Sequence, residues 1–186
     1  MPRRPDPDRR PEILDQIVEY IAEHGIADLS LRPLAKALGH STFVLTYHFG
    51  DKDGLVEAAL AHFEDKQREL LLSWRGWTEE RGLAETIRRF WRWMLTDGNV
   101  RLLRLGFEIA TSGSVSSFAP KVSADWVEFM AAYFEEQGMR RPQARREATI
   151  HVATINGLLL DYMATGDRKR VDDALDHYAN RIGVRV

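Results

Sequence analysis

Residues 26–63, IADLSLRPLAKALGHSTFVLTYHFGDKDGLVEAALAHF, read as two short helices joined by a glycine turn and followed by a long helix. No other stretch constrains the chain as much. Leu31, Leu34, Ala35 and Leu38 recur at helical spacing behind Ser30, a residue type suited to capping a helix start. Gly39 follows, the residue type that ends a helix in a left-handed turn. Ser41 predicts a second cap, opening a very short helix from Thr42 to about His48. Two helices joined by so few residues must cross steeply, which is the helix-turn-helix arrangement. Its second helix enters the DNA major groove, so DNA binding is the leading expectation.

The rest of the chain is periodic in the same way. Every patterned segment has helical spacing and none alternates like a strand, so the expected fold is all-α with about nine helices. Residues 1–10 predict a flexible N-terminal arm. A first helix covers about 11–24, with Ile13, Leu14, Ile17, Val18 and Ile21 on one face and Gly25 ending it. The long helix after Asp51 or Asp53 carries an apolar stripe to Trp74 and spans about 30 Å. Gly76 and Gly82 bracket an expected loop, and helices are predicted over about 83–96, 99–111, 119–137, 142–165 and 168–182. Asp97-Gly98 is expected to break the chain between two of these, and residues 111–117, TSGSVSS, form the clearest loop.

Composition narrows the function classes. The 186 residues carry 44% hydrophobic and 29% charged side chains, as a soluble globular protein does. No apolar run reaches the roughly 20 residues a membrane helix needs. The segment MPRRPDPDRRP is charged and proline-rich with no apolar centre, so no secretory signal is expected, and the simplest reading is a bacterial cytoplasmic protein. There are no cysteines, which removes disulfides, thiol redox sensing and zinc fingers. The net charge of −2 does not announce a nucleic-acid binder. Positive charge is local, at Arg3, Arg4, Arg9 and Arg10 and then at Arg32, Lys36 and Lys52, so the DNA-binding expectation rests on the motif.

That motif resembles the DNA-binding domain of TetR-family transcriptional repressors. The matching residues are Ser30, Leu31, Arg32, Leu34, Ala35, Leu38, Gly39, Ser41, Leu45, Tyr47, His48, Phe49, Lys52 and Leu55. The resemblance covers roughly residues 10–63. Three positions depart from the family pattern: His40 replaces a small apolar residue, Phe43 a small or polar one, and Thr46 a tyrosine. Thr42, Phe43 and Thr46 lie where side chains reach base edges, so the departures bear on which bases are read. The resemblance makes Tyr47, His48 and Lys52 binders of the phosphate backbone, and Ser30, Arg32 and Ser41 complete the expected DNA-binding set. Leu31, Leu34, Leu38, Val44, Leu45 and Phe49 are expected in the core, and packing is an alternative role for Phe43.

The resemblance implies a layout of three parts: an N-terminal arm over 1–10, a helix-turn-helix DNA-binding domain over 11–52, and a helical effector-binding and dimerisation domain over 53–186. A homodimer is expected, because one head contacts few base pairs and a symmetric pair reads a palindrome. Val152, Ile155, Leu158, Leu159 and Tyr162 fall at helical spacing and are candidate interface residues, their alternative place being this chain's own core. The body is rich in aromatic residues with polar ones interspersed, which is how small-molecule sites are built. Trp91, Met94, Phe107, Trp126, Met130 and His151 are the expected lining of an effector pocket for a small apolar or aromatic molecule. No catalytic motif, cofactor-binding loop or trusted metal-ligand spacing is present, so neither enzyme activity nor a cofactor nor a metal is expected. The leading expectation is thus a ligand-released repressor binding double-stranded DNA. The alternatives are a ligand-independent architectural DNA binder and a helical adaptor or small-molecule-binding protein without DNA affinity.

Overall fold

The computed structural model describes residues 9–25, 29–112 and 118–183. Among these residues the regular elements are ten helices: α1 Arg10–His24, α2 Leu31–Ala37, α3 Thr42–Phe49, α4 Lys52–Ser73, α5 Arg75–Arg81, α6 Leu83–Met94, α7 Asp97–Ser112, α8 Phe118–Glu136, α9 Arg141–Thr165 and α10 Arg168–Gly183. The all-α expectation holds. Of the expected arm only residues 9 and 10 are described, and Arg10 already opens α1. Of the expected loop over 111–117, residues 113–117 lie outside the described residues, and 111 and 112 end α7.

Two apolar clusters organise the helices. The first joins Ile13, Leu14, Ile17 and Ile21 of α1 to Leu34, Ala35, Leu45 and Phe49 of the α2–α3 pair. Leu55, Val56, Ala59, Leu60 and Phe63 from the first half of α4 close it, together with Leu102 and Leu105 of α7. The second joins α6, α8, α9 and α10 around Trp91, Met94, Phe134, Leu159, Val171 and Leu175. Helix α7 belongs to both, since Leu103 and Phe107 pack against the second cluster. Arg101 of α7 also donates hydrogen bonds to the carbonyls of Ala22 and Glu23, which end α1 without intrahelical partners.

The turn between α2 and α3 forms as its residues dictate. Gly39 takes φ 68°, its N–H bonds the carbonyl of Lys36 at 3.2 Å, and the His40 N–H reaches the carbonyl of Ala35 at 2.8 Å. This is the Schellman termination of α2. Ser41 caps α3 as expected, its Oγ accepting from the Val44 N–H at 3.3 Å. Asp51 caps α4 through the Gly54 N–H at 2.9 Å. Ser30 precedes α2 in extended geometry but makes no side-chain cap bond. Pro33, the third helical residue, has no N–H, so of the two usual capping donors only the Arg32 N–H remains, and Ser30 does not engage it.

Two expectations are corrected. Residues 76–82 do not form a loop: Trp74 ends α4 and α5 starts at once. The buried Thr78 of α5 bonds the Trp74 carbonyl at 3.0 Å and receives the Thr86 hydroxyl at 2.8 Å, which ties α5 to α6. Asp97 and Gly98 do not break the chain either. Helix α6 ends at Met94, and Asp97 and Gly98 form the first turn of α7, where an acidic side chain complements the helix dipole. A Cβ at Gly98 would stand 3.3 Å from Ala22 Cβ, so glycine lets the start of α7 approach α1.

Because Gly39 sits at positive φ, Gly39→Ala should lower the unfolding free energy by about 1–2 kcal/mol. Urea denaturation of the purified variant checks this.

Candidate nucleic-acid interface and body cavity

Helix α3 is eight residues long and too short to persist alone. It is held by Leu45 and Phe49, both buried, while its other face is left outside. Phe43 is 57% exposed and Tyr47 38%, with ring centroids 6.3 Å apart. Phe43 therefore does not pack in the core. Thr42 and Thr46 are exposed on the same helix, and the Thr46 hydroxyl donates back to the carbonyls of Thr42 at 3.1 Å and Phe43 at 3.2 Å. What Thr46 presents outward is a methyl group and an acceptor oxygen. Ser41 spends its acceptor on the cap and keeps its O–H as a donor.

Positive charge flanks this face. Arg32 and Lys36 on α2 are exposed, and Lys52 stands in the first turn of α4. A lysine there opposes the helix dipole, and none of the three has an ion pair among the described residues. An unpaired cation beside free helix N–H groups is suited to a phosphate. His48 departs from its expected role: it is half-buried and its Nε2 is enclosed without a hydrogen-bond partner, so this nitrogen is not offered to a phosphate. His40, in the turn, bonds Gln16 of α1 at 3.2 Å, and its pKa is lowered by burial and by the charges of Arg9 and His48. It holds the turn to α1.

The body contains a cavity of about 920 Å³, within the range of small-molecule sites. Met94, Phe107, Trp126, Met130 and His151 line it, on helices α6 to α9. Trp91 is not among the lining residues. It is 2% exposed, and its indole N–H donates to Asp172 of α10 at 2.6 Å, a carboxylate that Arg168 also grips at 2.7 Å. Its role is to pin α10 to α6, helped by Arg88, which reaches Asp176 at 2.8 Å.

Sequence reasoning missed Glu64 and Gln67 of α4 and left Phe90, Phe129 and Tyr133 unplaced; all five line the cavity. A signal for Glu64 existed. It falls with Leu60, Phe63, Gln67 and Leu71 on one helical stripe, a polar residue where an apolar one is expected. Its carboxylate accepts the Trp126 indole N–H, and burial raises its pKa against the opposing effects of Trp126 and Arg68. His151 shares a hydrogen bond with the Tyr178 hydroxyl at 3.0 Å. Burial lowers its pKa from 6.5 to about 4, so it is neutral at pH 7.

The five residues expected at a dimer interface turn inward. Val152 and Leu159 are buried, Val152, Ile155 and Leu159 line the cavity, and Leu158 and Tyr162 pack on the body core. Helix α9 leans its expected stripe on α8 and α10. Its outward stripe is instead Ile150, Ala153, Gly157, Leu160 and Ala164, with Ile150 and Leu160 each 54% exposed. A Cβ at Gly157 would meet nothing within 4 Å, so nothing in this chain requires a glycine there.

Comparison with known proteins gives a consistent picture. The family model for bacterial regulatory proteins of the tetR family matches residues 13–59, the segment from α1 into α4. The chain is 26% identical over 166 residues to the HTH-type transcriptional regulator BetI of Burkholderia mallei, over 89% of this chain and 73% of that one. A TetR-family transcriptional regulator from Pectobacterium atrosepticum superposes with a TM-score of 0.74 at 20% identity, over 94% of this chain and 92% of that one. The multidrug binding protein EbrR, solved in complex with imidazole, superposes with a TM-score of 0.63 at 25% identity, over 95% and 93% of the two chains.

The lowered pKa of His151 has a signed consequence for stability. As pH falls below 6.5 the unfolded chain takes up the proton first, so the contribution is complete above 6.5 and is lost progressively down to about 4. The loss should amount to about 2–3 kcal/mol by pH 4.5. Glu64, whose pKa is raised, acts with the opposite sign, and comparison with a His151→Phe variant cancels it. Urea unfolding at pH 7.5 and 4.5 should show the steeper acid loss in the unsubstituted protein.

Proposed function

The chain belongs to the TetR family of helix-turn-helix transcriptional regulators, and from that premise we propose that it is a homodimeric repressor released from its operator by a small molecule. The observation that carries the DNA-binding half is the outward face of α3. A helix whose buried side is fully used by Leu45 and Phe49 keeps Thr42, Phe43, Thr46 and Tyr47 toward solvent. Thr42, Phe43 and Thr46 read base edges, with Phe43 and the Thr46 methyl suited to thymine methyl groups. Tyr47, Lys52, Arg32, Ser30 and Ser41 hold the phosphates and fix the register. The DNA-binding unit spans residues 11–52, with the first half of α4 packed beneath it.

Dimerisation uses the outward stripe of α9. Ile150 and Leu160 supply apolar area, and Ala153, Gly157 and Ala164 permit close approach of a second α9. A pair of heads then reads two half-sites separated by about 34 Å or a multiple of it. The 920 Å³ cavity between the heads' supporting helix α4 and the body is the effector site, and the name of the neighbouring multidrug binding protein supports a small-molecule ligand. The effector must prefer the conformation that does not fit DNA. No described helix is long and apolar enough to cross a membrane, which supports a cytoplasmic site of action. The reading assigns the chain no catalytic step.

Selection of genomic fragments by the purified protein at low and moderate salt tests the whole reading. A palindromic site that survives the higher salt is expected, whereas recovery of no common site leaves only charge-driven binding. Against that site, Lys52→Ala should weaken all sequences alike and reduce the salt slope by about one, while Thr42→Ala should mainly relax sequence preference. Leu160→Glu should convert the dimer to monomer in sedimentation equilibrium and weaken operator binding with it.

A further inference from the structure

The cavity is not merely apolar. Glu64 reaches its wall from α4, and the carboxylate is held there by the indole N–H of Trp126 from α8. A buried carboxylate is costly unless a cation or several donors meet it. The nearest guanidinium, Arg68, lies on the outer side: one of its terminal nitrogens pairs with Asp65, the other is buried without a hydrogen-bond partner, the group stands 5.6 Å over the Trp126 ring, and its charge partly offsets that of Glu64. On the outer side of Glu64 lie Glu57 and Asp125, with Lys121 paired to Asp125 at 2.6 Å. Neither Arg68 nor Lys121 lines the cavity. Among its described lining residues the charged groups are the carboxylates Glu64, Glu79 and Glu136 and the guanidinium of Arg75, which bridges Glu136 at 2.8 Å and Glu79 at 3.7 Å. The walls thus carry excess negative charge, and the carboxylate without a cavity-side cation is Glu64.

Around it stand aromatic faces. Phe90 and Trp126 lie 6.0 Å apart, and Trp126 meets Phe129 edge-on at 5.7 Å. Aromatic ring faces attract organic cations, more strongly where water is excluded. A neutral aromatic would fill the same volume and bring Glu64 no cation on the cavity side, and an anion would face three carboxylates.

We propose that the effector is a lipophilic aromatic monocation, with its positive group against Glu64 and its apolar body against Phe90, Trp126 and Phe129. This rests on the reading of the cavity as the effector site. A bare metal ion does not fit, because no cluster of three or more metal-ligating side chains occurs among the described residues. The raised pKa of Glu64 agrees with a carboxylate that lacks a full counter-charge until a ligand supplies it.

The test uses the full chain and two molecules carrying the same three aryl rings, crystal violet, a triaryl cation with a planar central carbon, and its uncharged leuco form, whose central carbon is tetrahedral. Equilibrium dialysis at pH 7 gives their affinities, and fluorescence anisotropy of labelled operator reads release. At least tenfold tighter binding of the cation is expected, with release of DNA in the same concentration range. Glu64→Gln keeps the side-chain shape and removes the charge, and should reduce the preference for the cation at least fivefold, circular dichroism confirming its helical fold. Equal binding of both dyes by the unsubstituted protein, which requires no variant, overturns the charge assignment and leaves the effector site standing. A folded Glu64→Gln whose preference for the cation is undiminished overturns the role of Glu64. Binding of neither dye, with operator affinity intact, overturns the lipophilic-cation proposal and leaves the effector reading, which rests on the cavity, standing.

Discussion

The two-sided packing of α7 is the constraint on which the rest of the structure depends. Leu102 and Leu105 complete the cluster under the helix-turn-helix, and Leu103 and Phe107 face the body and its cavity. At its start Gly98 allows close approach to α1 and Arg101 grips the carbonyls that end α1. One helix thus joins Phe107 at the cavity wall to the end of α1. Helix α4 makes a second link, with Phe63 in the head cluster and Gln67 and Leu71 on the cavity wall.

The head shows how a short helix can expose so much of itself. Helix α3 is fixed by its cap at Ser41, by the Schellman turn at Gly39 and by two buried side chains, Leu45 and Phe49. These anchors lie on one side, which leaves Phe43 and Tyr47 exposed without loosening the helix. The body pins its outer layer with polar contacts instead. Trp91, Asp172 and Arg168 join α6 to α10, so an indole that reads as a pocket wall in the sequence is a structural bolt.

The head was legible because its determinants are local. Gly39, Ser41 and the 31-34-35-38 stripe each act within a few residues, and the turn, the cap and the core face follow from them. The body was legible only as helices. The break expected at Asp97-Gly98 became a helix start, because Gly98 is there for contact with Ala22, 76 residues away in sequence by their numbers. The loop expected over 76–82 became α5, because Thr78 and Thr86 meet across two helices.

The sequence by itself determined the helical class, the helix-turn-helix, its glycine turn and the cap at Ser41, since period, capping and glycine conformation are set by neighbouring residues. The tertiary structure alone decided which side of α9 faces out, where Trp91 is spent and that Glu64 stands on a cavity wall. An amphipathic helix fixes which residues share a face, but packing against several neighbours decides which face is buried. In α9 both sides carry apolar residues, and only the positions of α8 and α10 settle that Val152 and Leu159 turn inward while Ile150 and Leu160 remain exposed.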